Sequence, residues 1–232
     1  MRSLFLISVL VGSMSGLFSQ DTINQTDKIG HKQGFWKRYS GDSILLYEGR
    51  FRDNIPVGKF IYYYPDGKIK TISVISDSGK IARTLSFFPN GKKMASGKYV
   101  EQKRDSIWLF FSDTDEQLVS EEIYATGKKV GLEKIFYPGG GVSEIYTWKD
   151  GIRDGAWIQY YDDSTCKLQA SYSNGEREGK VTVYFTSGKR MIEGQYTKGH
   201  REGIWIYYHE NGDIRREERY ENGILLTEPE LE

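Results

Sequence analysis

The sequence holds a single cysteine, Cys166, with three histidines and five prolines in 232 residues. One cysteine excludes an internal disulfide, so stability has to come from packing and hydrogen bonding. No histidine lies near Cys166 to activate its thiol, which reads as a bystander beside a turn. His31, His200 and His209 fall in loops or beside a turn, and no two stand at metal-ligand or catalytic-triad spacing. Charge of neither sign dominates, with 32 Lys and Arg against 32 Asp and Glu. The basic surplus expected of a nucleic-acid binder is therefore missing. Paired carboxylates, a nucleophile elbow and a cofactor loop are missing too, so no enzymatic activity, cofactor or metal is expected. No apolar run is long enough to cross a bilayer as a helix.

What the chain has in quantity is aromatic residues (17 Tyr, 11 Phe, 5 Trp) and 26 glycines. That composition favours strands and tight turns over helices. The first twenty residues, "MRSLFLISVLVGSMSGLFSQ", stand apart: Arg2, an apolar run from Leu4 to Val11, then small residues. The pattern predicts a signal peptide over 1–20, cut near Ser19–Gln20 with Ser15 as an alternative, and an exported protein that is periplasmic or extracellular. No Cys near the expected cut offers a lipid anchor. A polar leader follows over 21–33, and 225–232 forms an acidic tail. Asn24-Gln25-Thr26 fits a glycosylation sequon.

Between leader and tail the glycines keep time. Gly34, Gly58, Gly131, Gly155, Gly179 and Gly203 share one context at a period of 24 residues, with Ala82 and Ser106 filling the gaps and one residue inserted before Gly131. Eight tiles cover 34–224, each named here by its first residue, counted as position zero. Position two carries Trp36, Phe60, Thr84, Trp108, Glu133, Trp157, Val181 and Trp205. Position five carries Tyr39, Tyr63, Phe87, Phe111, Phe136, Tyr160, Tyr184 and Tyr208, aromatic in every tile. Counting straight on, position seventeen carries Phe51, Ile75, Tyr99, Ile123, Trp148, Tyr172, Tyr196 and Tyr220.

Each tile reads as a β-hairpin. A short strand such as "GKFIYYY" leads into a turn such as "PDGK" or "ENGD", and a second strand such as "MIEGQYT" leads back. The run Gly139–Gly141 takes the place of such a turn and is a hairpin loop, not a nucleotide cradle. The fold class is all-β: an elongated, single-layer antiparallel sheet of about sixteen strands. Gly155, Gly179 and Gly203 are expected at positive φ or at a close backbone approach, and Gly49, Gly97 and Gly194 to leave room for a neighbouring ring. With a three-residue loop, positions three, five, thirteen, fifteen and seventeen share one face and the Trp column lies on the other; a two-residue loop changes these groupings. The return loops carry Arg52-Asp53, Arg153-Asp154, Glu176-Arg177-Glu178 and Arg201-Glu202, a charged rim along one edge that is ordinarily just solvated, with a docking rim as the alternative.

"YEGRFRDNIPVGKF" (47–60) and "EGQYTKGHREGIW" (193–205) resemble MORN repeats, and the aromatic-rich 24-residue form resembles the bacterial variant often labelled YwqK-type antitoxin. The resemblance covers about 30–224, and the Ala82 and Ser106 tiles depart from it by lacking the leading glycine, so bending or fraying is expected there. It implies successive hairpins and a scaffolding, dimerisation or membrane-surface role. The stripe at position five lacks an intramolecular cover, because no segment remains to form a second layer. Binding of a protein partner or self-association is expected through it, centred on Tyr160, Tyr184 and Tyr208, with an envelope or membrane surface as a further possibility. The alternative is an antitoxin-like regulatory partner that neutralises one protein.

Overall fold

The computed structural model describes residues 22–226; the signal-peptide assignment and most of the acidic tail lie outside the described residues. Aromatic and branched residues alternating with polar ones fold tile by tile into hairpins. The strand pairs are Lys32–Tyr39 with Leu45–Arg52, Ile55–Tyr63 with Ile69–Ser76, Ile81–Phe87 with Lys93–Val100, and Lys103–Phe111 with Leu118–Ala125. Gly131–Phe136 with Val142–Lys149, Ile152–Tyr160 with Cys166–Ser173, Gly179–Tyr184 with Arg190–Thr197, and His200–Tyr208 with Ile214–Glu221 complete the series. Four two-residue strands accompany these sixteen, and no helix occurs among the described residues. Each hairpin pairs antiparallel with the next. The outer edges carry only Gln25–Thr26 at one end and Ile224–Leu225 at the other, so the sheet stays open.

The turns have the expected three-residue loop. Tyr64 N donates to Lys68 O at 2.8 Å, Gly67 N donates to Tyr64 O at 2.9 Å, and Gly67 takes φ 82°. The face assignment built on that loop is nevertheless wrong. Tyr63 pairs with Ile69, but Tyr62 pairs with Thr71, leaving Lys70 as an extra residue. The same β-bulge recurs in all eight hairpins, with Leu46, Met94, Val119, Ser143, Lys167, Met191 and Arg215 in the equivalent place. One extra residue turns the rest of the strand over. Position two therefore lies opposite position fifteen, as in Phe60–Ser73, and the Trp column shares its face with thirteen, fifteen and seventeen. Positions three and five do share a face, the other one.

Two further expectations change. The insertion lies in the turn of the Ser106 tile, where Ser112 N reaches to Gln117 O, so Tyr124 and not Ile123 faces Ser106 at position seventeen. The sheet also does not fray where the leading glycine is missing. Ser106 adopts the glycine's conformation (φ 61°), and the Ala82 strand pairs without a second bulge. The six leading glycines all have positive φ, from 65° to 113°.

Phe60, Trp108 and Trp205 are the most buried large side chains, each 2% exposed, although only one layer exists. They lie flat over the glycine of the preceding hairpin: a Cβ on Gly49, Gly97 or Gly194 would meet Phe60, Trp108 or Trp205 at 2.3–2.5 Å. Burial of such a ring contributes about 1.5–3 kcal/mol. Edge contacts to position-seventeen rings, Tyr99–Trp108 at 4.8 Å and Tyr196–Trp205 at 5.2 Å, each add about 0.5–1.5 kcal/mol.

Candidate functional site

The Trp face is closed by cations. Two residues before each tile begins stand Lys32, Pro56, Lys80, Arg104, Lys129, Arg153, Arg177 and Arg201. Arg104 lies 4.7 Å from the Trp108 ring, Arg153 3.8 Å from Tyr146, Arg177 4.2 Å from Tyr196, and Arg201 4.3 Å from Trp205. A guanidinium over a ring is worth about 0.5–2 kcal/mol, rising with desolvation. Arg153, Arg177 and Arg201 are half-buried, which corrects their assignment to a merely solvated rim. Their acidic neighbours are engaged as well: Asp154, Glu178 and Glu202 accept the backbone N–H of Asn174, Lys198 and Asn222 at 2.8–3.1 Å, each capping the next return loop.

Carboxylates on this face are neutralised locally. Glu133, which replaces Trp in its column, takes the Lys129 ammonium at 2.5 Å and the Trp148 indole N–H at 2.8 Å. Burial alone would lower the Lys129 pKa, but Glu133 and Glu122 raise it overall. Glu218 ends the face. Burial pushes its pKa up, but hydroxyl bonds from Tyr207 (2.7 Å) and Tyr220 (2.8 Å), with Arg216, leave it below the usual carboxylate range. The Tyr146 phenol is raised by burial and by Glu144.

The opposite face carries the eight position-five aromatics. Tyr39 is exposed; Tyr63, Phe87, Phe111, Phe136, Tyr160, Tyr184 and Tyr208 are half-buried. The structure thus places all eight on one face, as the sequence predicted, but among different companions. Tyr63, Tyr184 and Tyr208 donate to Glu48, Gln169 and Glu193 of the preceding hairpin at 2.8–3.0 Å. Burial and then Glu48 push the Tyr63 hydroxyl up to about 12. Between these polar rungs the face is uncovered: Val74, Ile107, Leu132 and Ile204 are 51, 52, 43 and 55% exposed.

A position-six contact was missed in the sequence. Tyr64, Tyr137 and Tyr161 donate to the carbonyls of Phe87, Tyr160 and Tyr184 at 2.6–2.7 Å, latching each turn to the next. Their signal was an aromatic immediately after position five. The histidine assessment missed one juxtaposition: Asp27, His31 and Asp53 bring one ligand atom each within 4.8 Å of one another. Gln33 Nε2 already bridges the two carboxylates, at 3.2 and 2.5 Å, and Asp27 Oδ1 accepts the Ile29 and His31 amides. The His31 amide is the largest cause of a lowered Asp27 pKa. Cys166 is half-buried and its thiol pKa is raised by burial, the opposite of an activated nucleophile.

Residues 56–74, 177–198 and 201–226 match the family described as MORN repeat variant. Those three segments are MORN-variant repeats. The matched segments take in the hairpins of the Gly58, Gly179 and Gly203 tiles, and the other tiles continue the same sheet. No curated protein matches the chain. Among solved structures it is similar to a segment of the crystal structure of TcdB2-TccC3-Cdc42, with 12% identity over 83% of this chain and a TM-score of 0.24. The TcdB2-TccC3-TEV crystal structure gives 10% identity over 79% of this chain and a TM-score of 0.19. This chain spans 13% of the length of each, and a likeness of that size carries no argument about its function.

Proposed function

We propose that this MORN-repeat protein is a non-catalytic binding module that presents its position-five face to a protein partner or to a second copy of itself. One observation carries the reading: the Trp face is covered by its own rings and cations except around Thr84, whereas exposed Val74, Ile107, Leu132 and Ile204 lie on the opposite face. Uncovered apolar area of this kind marks interaction surfaces. Tyr160, Tyr184 and Tyr208, with Ile204 nearby in the same hairpin series, form the end where docking is proposed. The signal-like segment 1–20 supports a site of action outside the cytoplasm. An antitoxin-like role would use the same face, and capture of one stoichiometric partner would select it.

The test replaces Tyr160, Tyr184 and Tyr208 with Ser and adds Ile204→Ser. Light scattering of the wild type should show self-association, or a native extract should yield a stoichiometric partner, and the variant should lose it while unfolding cooperatively. A monomeric wild type with no partner, or association untouched by the substitutions, contradicts the reading.

A further inference from the structure

The ring column of the Trp face is interrupted at Thr84, Glu133 and Val181. Lys129 and Trp148 fill in at Glu133, and Val181 is itself buried. At Thr84 no ring fills the place, and Thr84 and the facing Ser73, 8% and 6% exposed, form the floor of the gap. The Ala82 tile places Lys80, Ala82, Thr84 and Ser86 where the Ser106 tile places Arg104, Ser106, Trp108 and Phe110. The facing strand adds Thr71 and Ser73. The result is an open groove of about 490 Å³ with Tyr62 on one side and Tyr99 on the other.

We propose that this groove binds a pyranose ring bearing a carboxylate. Its side walls are braced aromatic rings: Tyr62 stacks on Phe60 at 6.3 Å, and Tyr99 packs edge-on against Trp108 at 4.8 Å. Such rings offer flat apolar surface to the C–H faces of a sugar. The two strands between the walls are floored by two hydroxyl pairs, Thr71–Ser86 at 3.2 Å and Ser73–Thr84 at 2.9 Å. A hydroxyl donates once and accepts twice, so each pair retains one donor and several acceptor sites, the half-buried Thr71–Ser86 pair being the more open of the two. A polyhydroxylated ligand supplies both kinds of partner, whereas a peptide strand would need a line of backbone groups that this floor does not offer. Lys80 provides the charge. It occupies the column of Arg104 and Arg201, but with Thr84 in place of Trp it has no ring beneath it, and it stands exposed at the groove's end beside Gln102.

The experiment titrates the wild-type chain by calorimetry with a glucuronate-containing hyaluronan tetrasaccharide and with neutral chitotetraose. The acidic tetrasaccharide should bind saturably and about tenfold more tightly than the neutral one, the difference one charge-assisted hydrogen bond supplies. Lys80→Gln, on an exposed side chain, should erase that difference. Ser73→Gly with Thr84→Trp, which restores the ring-over-glycine packing of the other tiles, should abolish binding of both sugars. Absence of saturable binding by either tetrasaccharide overturns the proposal, as does binding unchanged in both variants; equal affinity for the two sugars overturns the carboxylate assignment. None of these outcomes bears on the position-five face, which lies on the other side of the sheet.

Discussion

Glycine does two different jobs here, and two positions in one hairpin series separate them. Gly203 needs its backbone freedom: its φ is 68° and a Cβ would meet nothing within 4 Å. Gly194 has an ordinary φ but no room, because a Cβ would lie 2.4 Å from the Trp205 ring. Gly203→Ala should cost about 1–2 kcal/mol from left-handed strain, and Gly194→Ala about 1–3 kcal/mol from overpacking. Asparagine distinguishes them. It tolerates the left-handed region, so Gly203→Asn should be milder than Gly203→Ala, while its greater bulk makes Gly194→Asn worse than Gly194→Ala. Urea unfolding of the four variants checks the ordering, and a common ordering at both sites would merge the two roles.

At the scale of the hairpin, the tile is the unit that can be removed. Each contacts only its neighbours, so stability is close to a sum over tiles and interfaces. Deleting 155–178 brings Gly179 behind the Gly131 tile in register, and the shortened chain should remain soluble and unfold cooperatively. Deleting 155–166 removes a single strand, reverses the direction of the next, and should cause aggregation. Circular dichroism and sedimentation of the two deletions check this; equal behaviour would deny the tile its independence. The period, the hairpins, the three-residue loops and both glycine roles were legible because each depends on a residue type at a fixed offset. The bulge at position twelve was not. Leu46, Lys70, Ser143 and Arg215 occupy it, so no side chain marks it, and a register one residue off exchanged the companions of the two faces. The cation lids were visible as charges, but only the pairing shows that Arg104, Arg153 and Arg201 lie back over rings. Thr84 stood out as an exception in its column, while the groove around it depends on Ser73 facing it across the corrected register.

At the scale of the molecule, sixteen long strands in series form one open sheet, on the order of 70 Å along the stacking direction before twist and curvature. A single layer has no interior in the usual sense. One face makes its own core from rings laid over glycines and closed by cations, and the other leaves Val74, Ile107, Leu132 and Ile204 exposed. Ile107 and Trp108 are adjacent in the chain, as are Ile204 and Trp205, and in each pair the isoleucine is mostly exposed and the tryptophan almost fully buried. Hydroxyl-radical footprinting, with each rate normalised to the unfolded chain, reads both faces at once. Ile107, Ile204 and Tyr39 should be oxidised at a large fraction of their unfolded rates, and Phe60, Trp108 and Trp205 should be strongly protected. Tryptophans oxidised at near-unfolded rates beside protected isoleucines would reverse the two faces and contradict the account.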